Sequence, residues 1–347
     1  MRFLIVGAGI TGCTAARLLA EAGHQVHVIE KEKDPGGLCA DVLKPDYMQK
    51  YGPHIFHTDS EEVWSFLSKF TGWKRFEHRV LACHHDEFYE MPINRTTAEK
   101  FFGESFLSDS DMKSFLEGKK ISTGRRNARE ELLSRIGEEL TDAFFAGYTQ
   151  KHWGVPLDQL DPEVTRRVPI RFNRDGRYFT EKYQGVPSYG YTEMCREMLD
   201  HFNITVEYET EYEARWGTEV IYTGTVNDFI DDPLPYRYIE FRYAHQEGKL
   251  PSAVVNYEDV ETQFTRMTDC FQFMGHNHGI TVAEFPGEEG VPCYPVMTKE
   301  NRRRADEEIS KRQKVWNMTF AGRTGKYMYY DIDDCVLDAM EMCRKWL

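Results

Sequence analysis

The sequence predicts an α/β fold of more than one domain, and three observations support this class. A strand, a glycine-rich turn and an amphipathic helix open the chain in that order at residues 3–20. A charged helical pattern occupies the middle of the chain, and short β-rich runs follow it. Because 347 residues exceed the size at which one core usually stops growing, we expect two or three domains.

The opening unit has the spacing of a dinucleotide-binding turn. Gly7, Gly9 and Gly12 form the pattern G-x-G-x-x-G, and a second apolar strand at 25–29 ends at Glu30. In such a unit the first glycine makes the tight turn, the second lets the backbone approach a pyrophosphate, and the third lets the helix pack on the strand. The helix N-terminus offers N–H groups to the anion, and the acidic residue holds the ribose hydroxyls. The pattern therefore predicts dinucleotide binding.

A second glycine turn favours FAD over NAD as the dinucleotide. After Glu30 the chain continues as a charged loop and reaches the pair Gly36–Gly37, where an NAD enzyme would normally enter another helix and strand. Paired glycines let the backbone lie against a ligand. In FAD proteins of the glutathione-reductase and amine-oxidase type, a turn of this kind runs beside the ribityl chain and the pyrophosphate. We therefore expect FAD as the cofactor.

The composition narrows the possible partners. The net charge is −14 and the isoelectric point about 5.4, so we expect neither nucleic acid nor an anionic membrane as a partner, because both require a basic surface. No apolar run approaches the roughly 20 residues of a membrane span, and the opening apolar stretch lacks a signal-cleavage pattern. We therefore expect a cytoplasmic protein.

The cysteines and histidines predict no metal site and no disulfide framework. The eight cysteines are scattered without a C-x-x-C pair, a pattern typical of reduced, buried thiols. His84–His85 and the histidines of residues 275–279 have no carboxylate or cysteine at ligand spacing. We therefore interpret both histidine tracts as loops.

The apolar spacing changes along the chain and indicates further elements. Residues 98–149 carry apolar side chains at three- and four-residue spacing, which predicts a small helical domain. Period-two alternation predicts an antiparallel sheet from the runs 219–222, 236–241, 253–257 and 281–283. A helix over 299–315, a strand over 315–323 and a last helix from Ile332 would return the chain to the cofactor domain, where the last helix N-terminus could face the flavin.

The predicted fold class is thus α/β, with an FAD-binding Rossmann-like domain, a small helical domain and an antiparallel β-sheet domain. The FAD-binding domain is discontinuous and comprises 1–78, 188–226 and 305–347. The helical domain covers 97–168, with a mobile loop near 162–176, and the sheet domain comprises 79–96, 169–187 and 227–304.

Five blocks of sequence resemble the prokaryotic UDP-galactopyranose mutases. They occur in family order, cover nearly the whole chain, and lie at 50–58, 147–154, 167–172, 183–187 and 322–331. The resemblance implies a flavin-dependent isomerase that interconverts UDP-galactopyranose and UDP-galactofuranose without net redox change. It also implies a covalent adduct of sugar C1 to N5 of reduced FAD, formed as UDP leaves.

The same resemblance implies a biological setting and leaves the sugar open. It implies reduction of FAD by NAD(P)H, a possible homodimer and a role in the biosynthesis of cell-surface glycans. The same chemistry could act on UDP-N-acetylgalactopyranose, UDP-arabinopyranose or dTDP-fucopyranose. An FAD-dependent oxidoreductase, or a nucleotide-sugar-binding protein that has lost catalysis, remains an alternative function class.

By the resemblance, Arg167 and Arg266 clamp the diphosphate of the substrate. Guanidinium groups match phosphate oxygens bidentately and offset the charge of the leaving group. Arg167 lies in a local basic cluster, and the family segment around it closes on substrate as a mobile loop. The structural alternatives are a solvated loop for Arg167 and an exposed sheet arginine for Arg266. The other arginines of the basic cluster are Arg166, Arg171, Arg174 and Arg177.

Several aromatic residues match substrate-contacting positions of the family. Phe144, Tyr148 and Trp153 are spaced so that they lie roughly on one face of a helix, where rings could stack on uracil and bound the sugar. A core stripe is the alternative interpretation. The substrate set implied by the resemblance is Phe144, Tyr148, Thr149, Trp153, Arg167, Tyr178, Arg266, Tyr294 and Tyr329.

His57 matches the family histidine beside the flavin and completes the catalytic set with Arg167 and Arg266. It could influence N5 or the proton inventory of ring opening, because a histidine pKa moves easily across neutrality, or it could be a satisfied core histidine. A histidine here favours plain galactose as the sugar. The cofactor contacts implied by the resemblance are Gly7, Gly9, Thr11, Gly12, Glu30, Lys31, Gly37, Leu38, His57, Arg323, Asp331 and Ile332.

Two stretches depart from the family pattern. Residues 122–129 replace a usually longer helical connection, which affects the helical domain and any dimer built through it. Residues 270–286 carry a Gly-His-Asn-His-Gly insertion, so the sheet edge near Arg266 could differ. Either departure could change the sugar preference.

Overall fold

The computed structural model describes residues 1–43, 45–213, 219–276, 278–316 and 318–347. The chain forms two compact units. The first unit comprises Met1–Phe76, Glu181–Tyr236 and Cys293–Leu347, and the second comprises Glu77–Thr180 and Arg237–Pro292. No helix among the described residues has both the length and the apolar character needed to cross a membrane.

The strands are numbered in chain order. They are β1 (Arg2–Val6), β2 (Gln25–Ile29), β3 (Asp41–Val42), β4 (Met48–Gln49), β5 (Phe56–Thr58), β6 (Trp73–Lys74), β7 (Val80–His84), β8 (Glu87–Met91), β9 (Tyr183–Pro187), β10 (Ile204–Glu207), β11 (Glu219–Tyr222), β12 (Tyr236–Glu247), β13 (Val254–Tyr257), β14 (Arg266–Asp269), β15 (His278–Gly287), β16 (Val291–Pro295) and β17 (Met318–Phe320).

The α-helices follow the same convention. They are α1 (Ile10–Glu21), α2 (Glu61–Leu67), α3 (Arg95–Phe102), α4 (Asp109–Lys119), α5 (Ala128–Thr141), α6 (Gly147–Trp153), α7 (Glu163–Arg166), α8 (Gly190–Leu199), α9 (Cys270–Phe273), α10 (Lys299–Trp316), α11 (Gly322–Gly325) and α12 (Ile332–Cys343). A π-helical turn, Asp142–Ala146, joins α5 to α6.

The first unit is built on a parallel sheet with the strand order β10-β2-β1-β11-β17. Its strands β1 and β11 are nearly continuous apolar runs, because a parallel sheet is covered on both faces and its side chains are buried on both. Helix α1 packs against α12 and α8. The core beneath it includes Phe3, Ile5, Leu19, Val28 and Ile221, each no more than 1% exposed.

Two predictions about this unit were wrong in detail. The run 219–222 was expected in an antiparallel sheet, but β11 pairs in parallel with β1 and β17. In a run of only four residues, the alternation of polar and apolar side chains cannot distinguish a half-buried strand from a fully buried one. The strand predicted at 315–323 is the three-residue β17, since the helix turn α11 begins at Gly322 and α10 runs to Trp316. Asn317, within that prediction, lies outside the described residues.

A mixed sheet has the order β16-β12-β15-β14-β13-β7-β8, and its strands from β15 to β8 lie in the second unit. The pairs β12–β15, β15–β14 and β14–β13 are antiparallel, as expected, whereas β13 pairs with β7 in parallel. Helices α3, α4 and α5 begin at side-chain caps from Asn94, Ser108 and Asn127. Such caps satisfy N–H groups that the first helical turn leaves unpaired.

The unit boundaries differ from the predicted domain bounds. The segments 181–187, 227–236 and 293–304, assigned by sequence to the sheet domain, lie in the first unit. The predicted helical and sheet segments otherwise share the second unit, and their separation into two domains stays a prediction. The residues 214–218 of the predicted FAD-binding domain and Asn277 of the predicted insertion lie outside the described residues.

Candidate active site

The first glycine turn needs glycine for two different physical reasons. Gly7 has φ +98°, and a Cβ there would lie 2.3 Å from Thr223 Oγ1. Gly12 begins the helix side of the turn, where a Cβ would lie 2.0 Å from the Gly7 carbonyl oxygen. A side chain at Gly7 would be strained by the positive φ and would have to displace the Thr223 side chain, whereas one at Gly12 would have to displace backbone. The turn therefore keeps α1 close to β1, as the sequence pattern predicts.

The second glycine turn lies directly against the first. Gly36 forms a backbone bridge with Gly9 and donates its N–H to the Ala8 carbonyl at 2.8 Å. A Cβ on Gly37 would lie 3.1 Å from the Gly9 Cα. Leu38 follows in a short 3₁₀ turn, Gly37–Cys39. Gly9 and the pair Gly36–Gly37 therefore form one side-chain-free surface of peptide groups, although they lie 27 and 28 positions apart in the sequence. Such a surface fits an extended dinucleotide such as FAD.

Glu30 is fixed at the end of β2. Its side chain is buried, and its two carboxylate oxygens accept N–H groups from Ala8 at 2.6 Å and Glu32 at 2.9 Å. A carboxylate oxygen has more than one lone pair, so these bonds orient the group and leave acceptor capacity for ribose hydroxyls. Lys31, beside it, is exposed, while Thr11 is buried in the first turn of α1.

Arg323 organises a second part of the predicted cofactor set. It donates to the carbonyls of Tyr330 at 2.7 Å and Cys293 at 2.9 Å. Its guanidinium lies over the rings of Tyr329, at 4.3 Å, and Tyr294, at 5.4 Å, and these rings stack with centroids 5.7 Å apart. Within the described chain its buried Nε has no hydrogen-bond partner, which is consistent with a polar ligand at this position.

His57 lies on β5 close to several acidic groups. Its Nδ1 is 3.1 Å from a carboxylate oxygen of Glu181. Burial favours the neutral imidazole, but the hydrogen bond to Glu181 and the charges of Asp331 and Asp333 outweigh it and raise the pKa of His57. Ile332 begins α12 directly after Asp331, so the predicted helix N-terminus does lie near His57. The histidine is thus held in a defined orientation with its charged form favoured.

In the second unit, the fold brings together three predicted substrate residues. Arg266 begins β14 opposite Glu284 of β15, and its Nε and Nη2 each donate to a Glu284 oxygen at 2.8 Å. Tyr148 lies within electrostatic range of Arg266, Glu284 and Tyr178, and the burial of its hydroxyl group raises its pKa. Because the Glu284 side chain is only 1% exposed, the bidentate pair fixes the plane of the guanidinium.

The aromatic residues of the predicted uracil site divide into two groups. Phe144, on the π-helical turn, is 2% exposed and contacts the rings of His84, Tyr89 and Phe101 at centroid distances of 5.0–5.8 Å. It is therefore part of an aromatic core in this structure. Tyr148 and Trp153, further along α6, are partly exposed, whereas Thr149 is buried.

Arg167 follows the last residue of α7 and is exposed. The backbone beside it is tied to α5, because Arg135 donates to the carbonyls of Thr165 at 3.1 Å and Val168 at 2.7 Å. The neighbouring arginines contribute to local structure: Arg166 pairs with Glu163 and Glu131, Arg174 with Glu99, Arg177 with Asp175, and Arg171 donates to the carbonyls of Asp175, Arg177 and Tyr178.

The sequence did not reveal the partners that position these groups. Lys151 is the clearest example: its ammonium donates to the carbonyls of Tyr257, Asp259, Thr262 and Phe264 at 2.7–3.1 Å. These four oxygens belong to the segment that leads to Arg266. The lysine therefore joins the helix carrying Tyr148 to the strand carrying Arg266. Arg237 caps the same helix by donating to the carbonyls of Lys151 and His152.

The parallel sheet and its two adjoining glycine turns define the first unit as a dinucleotide-binding domain. A family model of a Rossmann-like NAD(P)-binding domain matches residues 5–70, and the UDP-galactopyranose mutase family model matches residues 143–329. The second match covers more than half of the chain. The chain therefore belongs to the UDP-galactopyranose mutase family.

Comparison with individual proteins agrees with this family. The chain is 33% identical to a probable UDP-galactopyranose mutase of Klebsiella pneumoniae, over 99% of this chain and 94% of the relative. It is 31% identical to the dTDP-fucopyranose mutase of Escherichia coli, over 100% and 98% of the two chains. The crystal structure of a reduced UDP-galactopyranose mutase matches its fold with a TM-score of 0.77 at 15% identity, over 98% and 92% of the two chains.

These comparisons confirm the predicted family, the α/β fold class and an isomerase of the flavin-dependent type. They also support FAD as the cofactor. The residues of the cofactor site fit this group, through the bare glycine surface, the oriented carboxylate of Glu30 and the orphaned Nε of Arg323. The individual substrate and cofactor contacts remain predictions.

Proposed function

We propose that the chain interconverts UDP-galactopyranose and UDP-galactofuranose. Family membership supports the reaction class, and one observation in the second unit carries the assignment of a diphosphate site. This observation is the Arg266 guanidinium, held by buried Glu284 beside Tyr148 and Tyr178. A rigid guanidinium next to phenol hydroxyls matches the oxygens of a diphosphate in both charge and hydrogen-bonding geometry.

The arginines would act on the leaving group. When the bond between the sugar and UDP breaks, negative charge develops on the β-phosphate, and a cation already fixed in place stabilises it without reorganisation. Glu284 removes the orientational freedom of Arg266 before substrate arrives. Arg167, on the segment tied down by Arg135, would supply the second positive charge.

The remaining residues of the second unit would bind the nucleoside and the sugar. Tyr148, Thr149 and Trp153 lie on α6, and Lys151 on the same helix fixes the chain that precedes Arg266. In this proposal α6 presents the uracil-binding side chains. Phe144 contributes from the aromatic core behind that helix rather than from an open surface, given its burial.

In the first unit the cofactor would bind to the paired glycine turns, Glu30 and Arg323. Tyr294 and Tyr329 would contact the sugar or the phosphate of the substrate. When bound and reduced, FAD would supply a nucleophilic N5 for the anomeric carbon, with no net change of redox state. His57, with its pKa raised beside Glu181, would donate or hold a proton during ring opening.

We also propose the cellular context of the reaction. NAD(P)H would reduce the flavin, and the chain would act in the cytoplasm as a homodimer. The furanose product would enter cell-surface glycan synthesis. Family membership is the support for these points. Flavin reduction by NADH and NADPH under anaerobic conditions tests the reductant. The mass of the protein in solution tests the homodimer.

A second substrate deserves a parallel assay. The identities to the Klebsiella UDP-galactopyranose mutase and the Escherichia coli dTDP-fucopyranose mutase are 33% and 31%, so sequence similarity barely separates the two. UDP and dTDP share the diphosphate that the arginines would bind. Sugar and base therefore have to be compared directly.

The deciding experiment incubates the purified flavoprotein with UDP-galactofuranose or dTDP-fucofuranose, with and without dithionite, and separates the products by chromatography. Conversion of the UDP sugar only after reduction supports the proposed function. Preferential conversion of the dTDP sugar assigns the second candidate. The absence of both conversions in a fully reduced, FAD-bound preparation contradicts the proposal for these sugars.

A further inference from the structure

A cluster of potential metal ligands lies at the tip of a hairpin in the second unit. His84 is the last residue of β7, and His85 and Asp86 form the turn into β8 with φ values of +50° and +62°. Asp259 lies two residues beyond the end of β13. The ligand atoms of His84, His85 and Asp259 all lie within 4.8 Å of one another.

The contacts orient this cluster. Asp259 Oδ1 is 2.8 Å from His84 Nδ1 and 3.8 Å from His85 Nδ1. Its other oxygen accepts the His85 backbone N–H at 2.8 Å, which fixes the rotation of the carboxylate. The two imidazole rings lie with centroids 4.1 Å apart. Two ring nitrogens and a carboxylate oxygen thus lie close enough together to share one ion, which would replace the proton of the hydrogen bond between His84 and Asp259.

The backbone beneath the cluster is held on both sides. The parallel register places Tyr257 beside Cys83, and the Glu258 N–H donates to the Cys83 carbonyl at 3.0 Å. Lys151 binds the carbonyl of Asp259 itself at 2.8 Å. His85 is the adaptable member, since its side chain is 80% exposed. The site therefore combines two anchored ligands with one that can turn onto a bound ion.

The donor set indicates which ion would bind. Imidazole nitrogens favour zinc, copper and nickel over calcium and magnesium, which prefer oxygen ligands. Bonds of about 2.0–2.1 Å in a tetrahedral zinc site place the ligand atoms about 3.3 Å apart. The spacings of 2.8 Å and 3.8 Å lie on either side of this value, so small side-chain movements suffice.

We propose that His84, His85 and Asp259 bind one divalent transition-metal ion of the zinc class, with water as a fourth ligand. The sequence predicted no metal site because no carboxylate stands at ligand spacing from the histidines along the chain. The fold supplies one from 175 positions away. A bound ion would link the β7–β8 turn to the segment after β13 and stabilise the second unit.

The test uses the full-length flavoprotein without a polyhistidine tag. Zn²⁺ is titrated by calorimetry, and Co²⁺ is titrated by the visible absorption of its tetrahedral complex. One equivalent per chain, together with a rise in Tm that a chelator reverses, is expected. No saturable binding of either ion would overturn the proposal.

The key variant is His85→Asn, since asparagine tolerates the positive φ of the turn and the residue is exposed. It should weaken Zn²⁺ binding about tenfold or more. The matched control is His276→Asn, an exposed histidine elsewhere in the same unit, which should leave the affinity unchanged. Equal affinity of His85→Asn and the native chain, or equal loss in both variants, would contradict the assigned ligands. Circular dichroism checks that each variant is folded.

Discussion

The two units of this chain build their candidate binding surfaces from different materials. In the first unit the surface is mainly backbone: Gly9 and Gly37 approach so closely that a Cβ on Gly37 would lie 3.1 Å from the Gly9 Cα. In the second unit it consists of side chains with buried partners, such as Arg266 on Glu284. A surface made of backbone should lose its ligand when a side chain is added, whereas a surface made of side chains should lose its ligand when one is removed. The contrast can be tested by substitutions of each kind.

The largest effect is expected for Arg266→Ala. It leaves the carboxylate of Glu284, 1% exposed, without its bidentate partner, and an uncompensated buried charge costs about 3–5 kcal/mol of unfolding free energy. If the diphosphate assignment holds, kcat should also fall by about 10²–10³, while FAD content stays normal. Denaturant unfolding, turnover and flavin absorbance measure the three quantities.

The matched control for that variant is Arg242→Ala. Arg242 pairs with Glu240 on β12, but both side chains are more than half exposed, and exposed pairs contribute about 0–1 kcal/mol. A similar loss of stability in both variants would show that burial of Glu284 is not what makes the Arg266 pair important.

The opposite kind of substitution is Gly12→Val in the first unit. Its Cβ would meet the Gly7 carbonyl oxygen at 2.0 Å, so we expect about 3 kcal/mol of destabilisation and loss of bound flavin. Gly118→Ala is the control, because nothing lies within 4 Å of a Cβ on this glycine of α4. Normal FAD content in Gly12→Val would refute the backbone origin of the surface.

A smaller effect is expected for Lys151→Met. The substitution removes the donor shared by four carbonyl oxygens before Arg266, and buried groups without partners cost about 1–3 kcal/mol. The unfolding free energy should fall by this amount, and KM for the UDP sugar should rise more than kcat falls. Gln150→Met, at an exposed position on the same helix, should change neither quantity.

The smallest expected effect is a change in the pH dependence through Glu181→Gln. The native pKa of His57 is raised, with Glu181 the first favourable contributor after the opposing effect of burial. A raised histidine pKa stabilises the fold fully below the unfolded pKa of about 6.5, and this stability is lost as the pH rises through the folded pKa. In the variant the His57 pKa should fall. Proton NMR of the imidazole measures it, and an unchanged value would exclude the pairing.

The contrast between the units also explains what the sequence could predict. The glycine turn and Glu30 follow from short-range spacing, because each residue acts on its near neighbours in the chain. The partners Glu284 of Arg266 and Asp259 of His84 are set by strand register over long separations. A single sequence carries no signal for such pairs. The resemblance identified Arg266 and Tyr148, but not the buried groups that hold them.

Burial was the other property that local pattern could not settle. Phe144 and Tyr148 share a helical spacing, yet Phe144 is enclosed by rings from β8 and α3 while Tyr148 lies beside Arg266. Likewise the short run 219–222 gave a strand correctly but not its parallel pairing. Both outcomes depend on which neighbour the fold supplies.

The ammonium of Lys151 occupies the centre of four convergent carbonyl oxygens. Such a ring of oxygens is what a potassium or ammonium ion from the medium would otherwise occupy. Here the cation is covalently attached to the helix, so its local concentration never changes. The segment leading to Arg266 should therefore keep its shape in media of any monovalent-salt composition, without a dissociable ion to gain or lose.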